Sequence, residues 1–328
     1  MIVFRLFDMK RKIVICVIVV QIIVVLLVGK NVLVKKGMEV LGQASVNIIN
    51  ESDVVASSSV GLKYFYEPGP GIVTRDLGWM GDKFKYSVRY AINADTLNQL
   101  EDYPPEKSAN TYRIITLGDS FTFGLNVNTE KNYPSQLQEM LNHECKDDMK
   151  YEVINLGVSG YDIQYAVNRF QLRGIKYNPD LVIWNIAGDD LLRINEKLLP
   201  QYKKEEVGKT LKEHFANWKN SREQVIKDLG GEKEVFNMQL NHFKKIDKYF
   251  HNTLVITTIS NAPAEHIETL TRMAKARQNT FLYTNIRNIY KLDAALPDYH
   301  PNEKGYRIIA EDSFQYLKDN NIIPCRQL

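Results

Sequence analysis

Ile114-Ile115-Thr116-Leu117-Gly118-Asp119-Ser120-Phe121-Thr122-Phe123-Gly124 is a run of apolar, β-favouring residues that stops at Gly-Asp-Ser, and an amphipathic stretch follows from Tyr133 to Cys145. The pattern is that of a buried strand ending in a tight turn. A serine hydroxyl then stands at the strand's carboxyl end, where open α/β sheets place their ligand crevices. A serine in such a place is fixed, accessible and close to backbone N–H groups that can hold an oxyanion, which is what a nucleophile requires. Gly-Asp-Ser alone is also ordinary turn chemistry, so the reading depends on partners elsewhere in the chain.

Far downstream stands Asp298-Tyr299-His300-Pro301-Asn302-Glu303-Lys304-Gly305, ahead of a helical pattern through Tyr306, Ile308, Ile309 and Phe314. A histidine before a helix, with an aspartate two residues earlier, has the parts of a general base and its orienting carboxylate. Taken singly, it reads better as a surface histidine in a Pro-Asn turn. Between serine and histidine lie two more strand ends. Ile154-Asn155-Leu156-Gly157-Val158-Ser159-Gly160-Tyr161 closes on a glycine turn, and Leu181-Val182-Ile183-Trp184-Asn185-Ile186-Ala187 runs into Gly188-Asp189-Asp190.

In this order the four stretches resemble the sequence blocks of the SGNH/GDSL hydrolases: Gly-Asp-Ser, Asn-x-Gly-x-x-Gly, Gly-x-Asn-Asp and Asp-x-x-His-Pro-Asn. The resemblance covers roughly residues 110–320, and Gly-Asp-Ser-Phe-Thr-Phe-Gly with His-Pro-Asn-x-x-Gly is its most specific pair. It implies a serine esterase or acyltransferase mechanism on an α/β fold, a flavodoxin-like three-layer α/β/α sandwich with a parallel sheet. By the same resemblance Ser120 is the nucleophile, His300 the base, and the backbone N–H groups of Ser120 and Gly160 are oxyanion donors. Two departures stand out. Asp189 occupies the place of the family's asparagine, whose amide donates to the oxyanion, whereas a carboxylate only accepts. Protonation through burial near other carboxylates would let Asp189 serve as a third oxyanion donor, and Asp190 reads as an acceptor for nearby backbone N–H groups. Asp298 sits two residues before His300 where three is the common spacing, with Asp293 as the reserve carboxylate.

Strand patterns near residues 113–118, 151–157, 180–187, 253–259 and 280–284 alternate with helical patterns near 131–145, 162–174, 264–277 and 303–319. That alternation is the signature of a parallel sheet covered on both faces. Residues 191–250 form a long, charged, helical insertion after the third block, which reads either as a lid or wall of the substrate crevice or as a helical pair on the flank. Ahead of the domain at residues 111–328, residues 45–110 read as a linker (47–59), a Pro/Gly turn cluster (64–71) and a strand with one buried face (83–93), together a small accessory β element. Its aromatics are read as core packing, with a sugar-stacking site as the alternative.

The 328 residues, 44% hydrophobic and 25% charged, fit one sizeable domain plus attachments. A net charge of +3 with no basic aromatic stripe gives no ground for nucleic acid. Residues 1–44 read as a cytoplasmic tail and an uncleaved transmembrane signal anchor: residues 13–29 are almost wholly apolar, span about 26 Å as a helix and follow Lys10-Arg11-Lys12. A cleaved signal peptide is the competing view. Cys16, Cys145 and Cys325 have no metal-ligand spacing. Cys145 and Cys325 are read as free buried thiols, with pairing outside the cytoplasm as the alternative. The expectation is a single-pass membrane protein with an extracytoplasmic Ser120–His300–Asp298 esterase. It would need no cofactor and act on a short-chain ester, of acetyl size, carried by a small molecule or a carbohydrate. O-acyl transfer by the same residues, or a weakened glycan-binding scaffold, are the alternatives.

Overall fold

The computed structural model describes residues 54–56, 61–145, 148–205, 211–258, 262–285 and 287–325. The apolar stretch at residues 13–29 lies outside them. Among the described residues no helix is long and apolar enough to cross a membrane.

Three short strands, β1 (Val54–Ala56), β2 (Tyr66–Pro68) and β3 (Gly71–Asp76), precede β4 (Ser87–Ile92). β1 pairs with β2 and β3 with β4, both antiparallel. The stretch read as linker therefore contains a strand, and the Pro/Gly cluster contributes another. β4 buries Val88, Tyr90 and Ile92 on one face, as its alternation dictates. Phe65 and Tyr90 are core residues, in line with the packing reading of these aromatics.

The main sheet is built from β5 (Thr111–Leu117), β6 (Lys150–Asn155), β7 (Leu181–Asn185), β8 (Thr253–Thr258) and β9 (Thr280–Thr284), in the order β6-β5-β7-β8-β9 and parallel throughout. Between β5 and β7 stand the helical turn α1 (Ser120–Phe123), α2 (Tyr133–Glu144) and α3 (Ile163–Arg169). Then come α4 (Asn195–Glu205), α5 (Leu211–Asp228) and α6 (Glu232–Lys244), with α7 (Ala264–Lys275) and α8 (Glu303–Asp319) completing the fold. β5 to β8 are buried at nearly every position, with apolar residues at their centres, because both faces of the sheet are covered. Ile114, Ile183 and Val255 point to α2 and α8, while Ile115, Val182, Trp184 and Ile256 point to α3, α6 and α7. The result is the three-layer α/β/α sandwich expected from the alternation of patterns.

Strand order decides where chemistry can occur. From β5, second from the edge, the chain crosses first to β6 and then back to β7, so the strand order reverses beside β5, and its carboxyl end is the switch point at which open α/β sheets bind ligands. Within the segment read as insertion, α6 buries Phe236 and Phe243 against Trp184 and its neighbours, which makes it a layer helix. The true excursion is α4 and α5, joined by the edge-on packing of Tyr202 and Trp218.

The free-thiol reading of Cys145 and Cys325 is corrected: they form a disulfide with Cα atoms 4.9 Å apart. Cys145 caps the end of α2 and Cys325 follows α8, and these helices lie side by side on one face of the sheet. Two cysteines 180 residues apart in sequence are thus brought together by helix packing.

Candidate active site

The nucleophile turn is dictated by close approach. Gly118 has φ +147, and a β-carbon there would lie 2.5 Å from the carbonyl oxygen of Asn185 on β7; only glycine fits. Asp119 then caps α1, its Oδ1 accepting from the Phe121 N–H at 2.9 Å. Ser120 is the first residue of that turn, so its own N–H has no partner inside it. After β6 the chain turns through Gly157, whose would-be β-carbon meets the Thr122 backbone, and Gly160 at φ +80. A β-carbon on Gly160 would lie 2.8 Å from Tyr66 Oη. Tyr66 itself donates to the carbonyl of Ser159 at 2.7 Å, so the accessory β element reaches the glycine turn.

His300 is delivered by the His-Pro-Asn-x-x-Gly stretch. Asn302 caps α8 by accepting from the Gly305 N–H at 3.0 Å. Gly305 lacks the β-carbon that would strike the carbonyl of Ala294 and Pro301, so the loop before the helix packs tightly. Tyr306 donates to the carbonyl oxygens of Ser120 (3.3 Å) and Leu125 (3.1 Å), tying α8 to the nucleophile turn. His300 Nε2 consequently lies 2.9 Å from Ser120 Oγ, and Nδ1 lies 3.0 Å from Asp298 Oδ2. The partners assign the tautomer: Nδ1–H donates to the carboxylate and Nε2 accepts from the serine hydroxyl.

Asp298 is held from three sides. It accepts from His300 Nδ1, from the His300 backbone N–H at 3.3 Å and from Asn126 Nδ2 at 2.7 Å. Burial raises its carboxyl, but the hydrogen bonds and charge of His300 and the Asn126 amide outweigh that and leave it below the usual carboxylate range. Asn126, in the left-handed region at φ +69, donates its N–H to Tyr90 Oη at 2.9 Å, and burial pushes the Tyr90 phenol up to about 12. The carboxylate on His300 is Asp298 and not the reserve candidate Asp293, whose backbone carbonyl accepts from Asn302 Nδ2 at 3.2 Å.

The third block carries charge. Asp189 has a half-exposed side chain, and its Oδ1 is 2.5 Å from Arg222 Nη1 on α5. Asp190 is buried, accepts from the Ala187 N–H at 2.9 Å and lies 3.2 Å from Arg193 Nη2. Burial, with the Asp119 charge beside it, pushes the Asp190 carboxyl well above its ordinary value. Arg193 is buried between Asp190 and Asp119, the latter 3.8 Å away. A β-carbon on Gly160 would lie 4.0 Å from Arg193 Nη1, and the Trp218 ring caps the guanidinium at 6.0 Å. Asp119 Oδ2 in turn lies 3.4 Å from Ser120 Oγ. A buried cation therefore sits one side chain away from the serine, and the excursion helix α5 contributes Trp218 and Arg222 to this wall.

Ser120, His300, Asp298 and Gly160 are thus gathered at the carboxyl end of β5, with Asp189 at the rim and turned to Arg222. Sequence reading passed over Asn126, Arg193 and Arg222, and took Tyr66 and Tyr90 for packing aromatics of the accessory β element. Arg193, three residues after Asp190, carried a local hint as an i, i+3 pair. The others lie far from their partners in sequence. Among the described residues no cluster of metal-ligating side chains occurs.

A hydrogen-bonded Ser–His–Asp series at the carboxyl edge of a parallel sheet defines a serine-hydrolase site. Residues 116–308, more than half the chain, match the GDSL-like Lipase/Acylhydrolase family. The chain belongs to that family and is an ester-hydrolysing enzyme. Solved structures similar in fold include a psychrotrophic esterase, EstA, from Pseudoalteromonas sp., 18% identical, covering 65% of this chain and 100% of that one, with a TM-score of 0.40. A Clostridium thermocellum family 3 carbohydrate esterase is 16% identical, with 66% and 100% covered and a TM-score of 0.42. A lipase/acylhydrolase from Enterococcus faecalis is 15% identical, with the same coverages and the same TM-score. No curated protein matches the sequence.

Proposed function

We propose that this protein is a serine esterase that removes a short acyl group, of acetyl size, from an ester-bearing alcohol, and that it works on the extracytoplasmic side of a membrane to which residues 13–29 anchor it. The observation that carries the catalytic reading is the pair of distances at His300, 2.9 Å to Ser120 Oγ and 3.0 Å to Asp298 Oδ2. Ser120 Oγ attacks the ester carbonyl as its proton passes to His300 Nε2, and Asp298 steadies the imidazolium through Nδ1–H. The tetrahedral oxyanion is met by the N–H groups of Ser120 and Gly160, with Arg193 lending positive potential from behind the glycine turn. On collapse, the alcohol leaves with the proton from His300, and water activated by the same nitrogen resolves the acyl-serine.

Tyr66 against Gly160 and Trp218 over Arg193 crowd the oxyanion side, which supports a short acyl group. The Cys145–Cys325 disulfide supports an oxidising compartment, as the basic residues before the apolar stretch support an outward-facing domain. Asp189, engaged with Arg222, offers no amide to the oxyanion, so the donor set rests on two backbone groups.

The test is hydrolysis of an aryl acetate by the full chain beside its Ser120→Ala form. Turnover that falls at least 10³-fold with the substitution is the expected result. Equal rates in both folded proteins would sink the esterase reading.

A further inference from the structure

The chain around His300 makes an unusual choice of residue. Tyr299 N–H donates to the Leu296 carbonyl at 2.9 Å, Leu296 N–H donates to the His300 carbonyl at 2.7 Å, and Ala295 bridges Pro301 in antiparallel fashion. This is a three-residue hairpin loop closed by a bulge residue in the left-handed region, a position that glycine or asparagine normally fills. Here it is Tyr299, at φ +69. An aromatic residue in that region strains the backbone. The strain gains the fold no packing in return, because Tyr299 is 74% exposed. Among the described residues the ring that it meets is that of Tyr290, centroids 6.4 Å apart at 67°. Tyr290 stands on a helical turn at Ile289–Lys291 and is itself 38% exposed; partial burial, and after it the Asp119 charge, raises its phenol. Two exposed tyrosine rings, inclined at 67°, therefore stand beside His300.

The chemistry says which half of an ester lies on that side. His300 Nε2 must hand its proton to the leaving alcohol oxygen, so the alcohol half passes within hydrogen-bond reach of the imidazole. The acyl half lies towards Gly160. Resting on the esterase reading, we infer that Tyr299 and Tyr290 form a stacking subsite for the alcohol half of the substrate, and that this alcohol is a sugar ring. A pyranose presents an apolar C–H face to an aromatic ring and a rim of hydroxyls to water and phenol groups, which suits wet, amphipathic tyrosines. An alkyl alcohol would call for a dry groove instead.

The experiment measures acetate release by the full chain from a mono-O-acetylated methyl glucopyranoside and from ethyl acetate, whose alcohol is too small to stack. The wild type is expected to favour the sugar ester in kcat/KM. Tyr299→Gly and Tyr290→Ala should each lower the sugar-to-ethyl ratio by about 5–20-fold, chiefly through KM, and Tyr299→Phe should retain it. Tyr299→Gly should also melt at least about 2 °C higher, as the strain is released. A ratio unchanged in both variants, no preference for the sugar ester in the wild type, or a lower melting temperature for Tyr299→Gly would overturn the inference. Absence of Ser120-dependent release from either ester would instead remove the esterase reading beneath it.

Discussion

Asp189→Asn is the substitution that bears most directly on how this site holds an oxyanion. In the structure the Asp189 carboxylate is drawn to Arg222 at 2.5 Å, with side chains 51% and 20% exposed. An ion pair that open to water contributes less than about 1 kcal/mol, so its loss does not threaten the fold. The gain lies in the transition state. Removing one oxyanion donor from a hydrolase costs on the order of 10²–10³ in kcat, or roughly 3–4 kcal/mol. An asparagine released from Arg222 recovers part of that, since its loop was shaped around a carboxylate. A rise in kcat of about 10–100-fold with little change in KM is expected, measured on an aryl acetate under saturating conditions. Arg222→Met supplies the opposite perturbation: it leaves the Asp189 charge unpaired at the rim of the oxyanion site and should lower kcat several-fold. Should Asp189→Asn leave kcat within twofold of the wild type, or lower it, the argument that position 189 limits the oxyanion site is wrong.

Asp298→Asn should cut kcat by about 10³–10⁴ by upsetting the histidine tautomer, whereas Asn126→Ala, which removes one of three hydrogen bonds to the same carboxylate, should cost nearer tenfold; equal losses would show that Asn126 does more than orient Asp298. Reduction of the Cys145–Cys325 bond, which closes a loop of 180 residues, should lower unfolding stability by about 2–5 kcal/mol in urea titrations, and an unchanged midpoint would mean that the bond does not form. Burial raises the Asp162 carboxyl from 3.8 to about 6, against the backbone N–H bonds from Asn195 and Tyr165 that lower it. Its contribution to stability is therefore full below about pH 4 and is lost as pH rises through 6, by up to about 3 kcal/mol. Asp162→Asn should flatten that fall between pH 4 and 7, whatever constant cost the altered hydrogen bonds add; parallel curves for the two proteins would refute the assignment.

Local chemistry explains why so much of this protein is legible in one dimension. Five apolar runs separated by amphipathic helices admit a parallel sheet with two covered faces, because a buried strand has no polar face to show and a crossover needs a helix. Gly118, Gly157, Gly160 and Gly305 each mark a place where a backbone passes too close for a β-carbon or turns left-handed. Such glycines sit next to the chemistry in sequence, so Ser120 and His300 could be found from their own neighbours.

What the chain could not declare by itself are pairings between residues with no reason to be associated until the layers pack. α2 and α8 share a face of the sheet, and only that adjacency joins Cys145 to Cys325. The order β6-β5-β7 places the loop after β5 beside the loop before α8, so Asn126 meets Asp298 at a sequence separation of 172. The fold of the excursion sets Arg222 on Asp189 and Trp218 over Arg193, contacts that helical periodicity leaves open. Periodicity and turn chemistry are short-range and therefore written along the sequence. The setting of a charge, or the support of a triad carboxylate, belongs to the packing, because it depends on which surfaces the hydrophobic effect presses together.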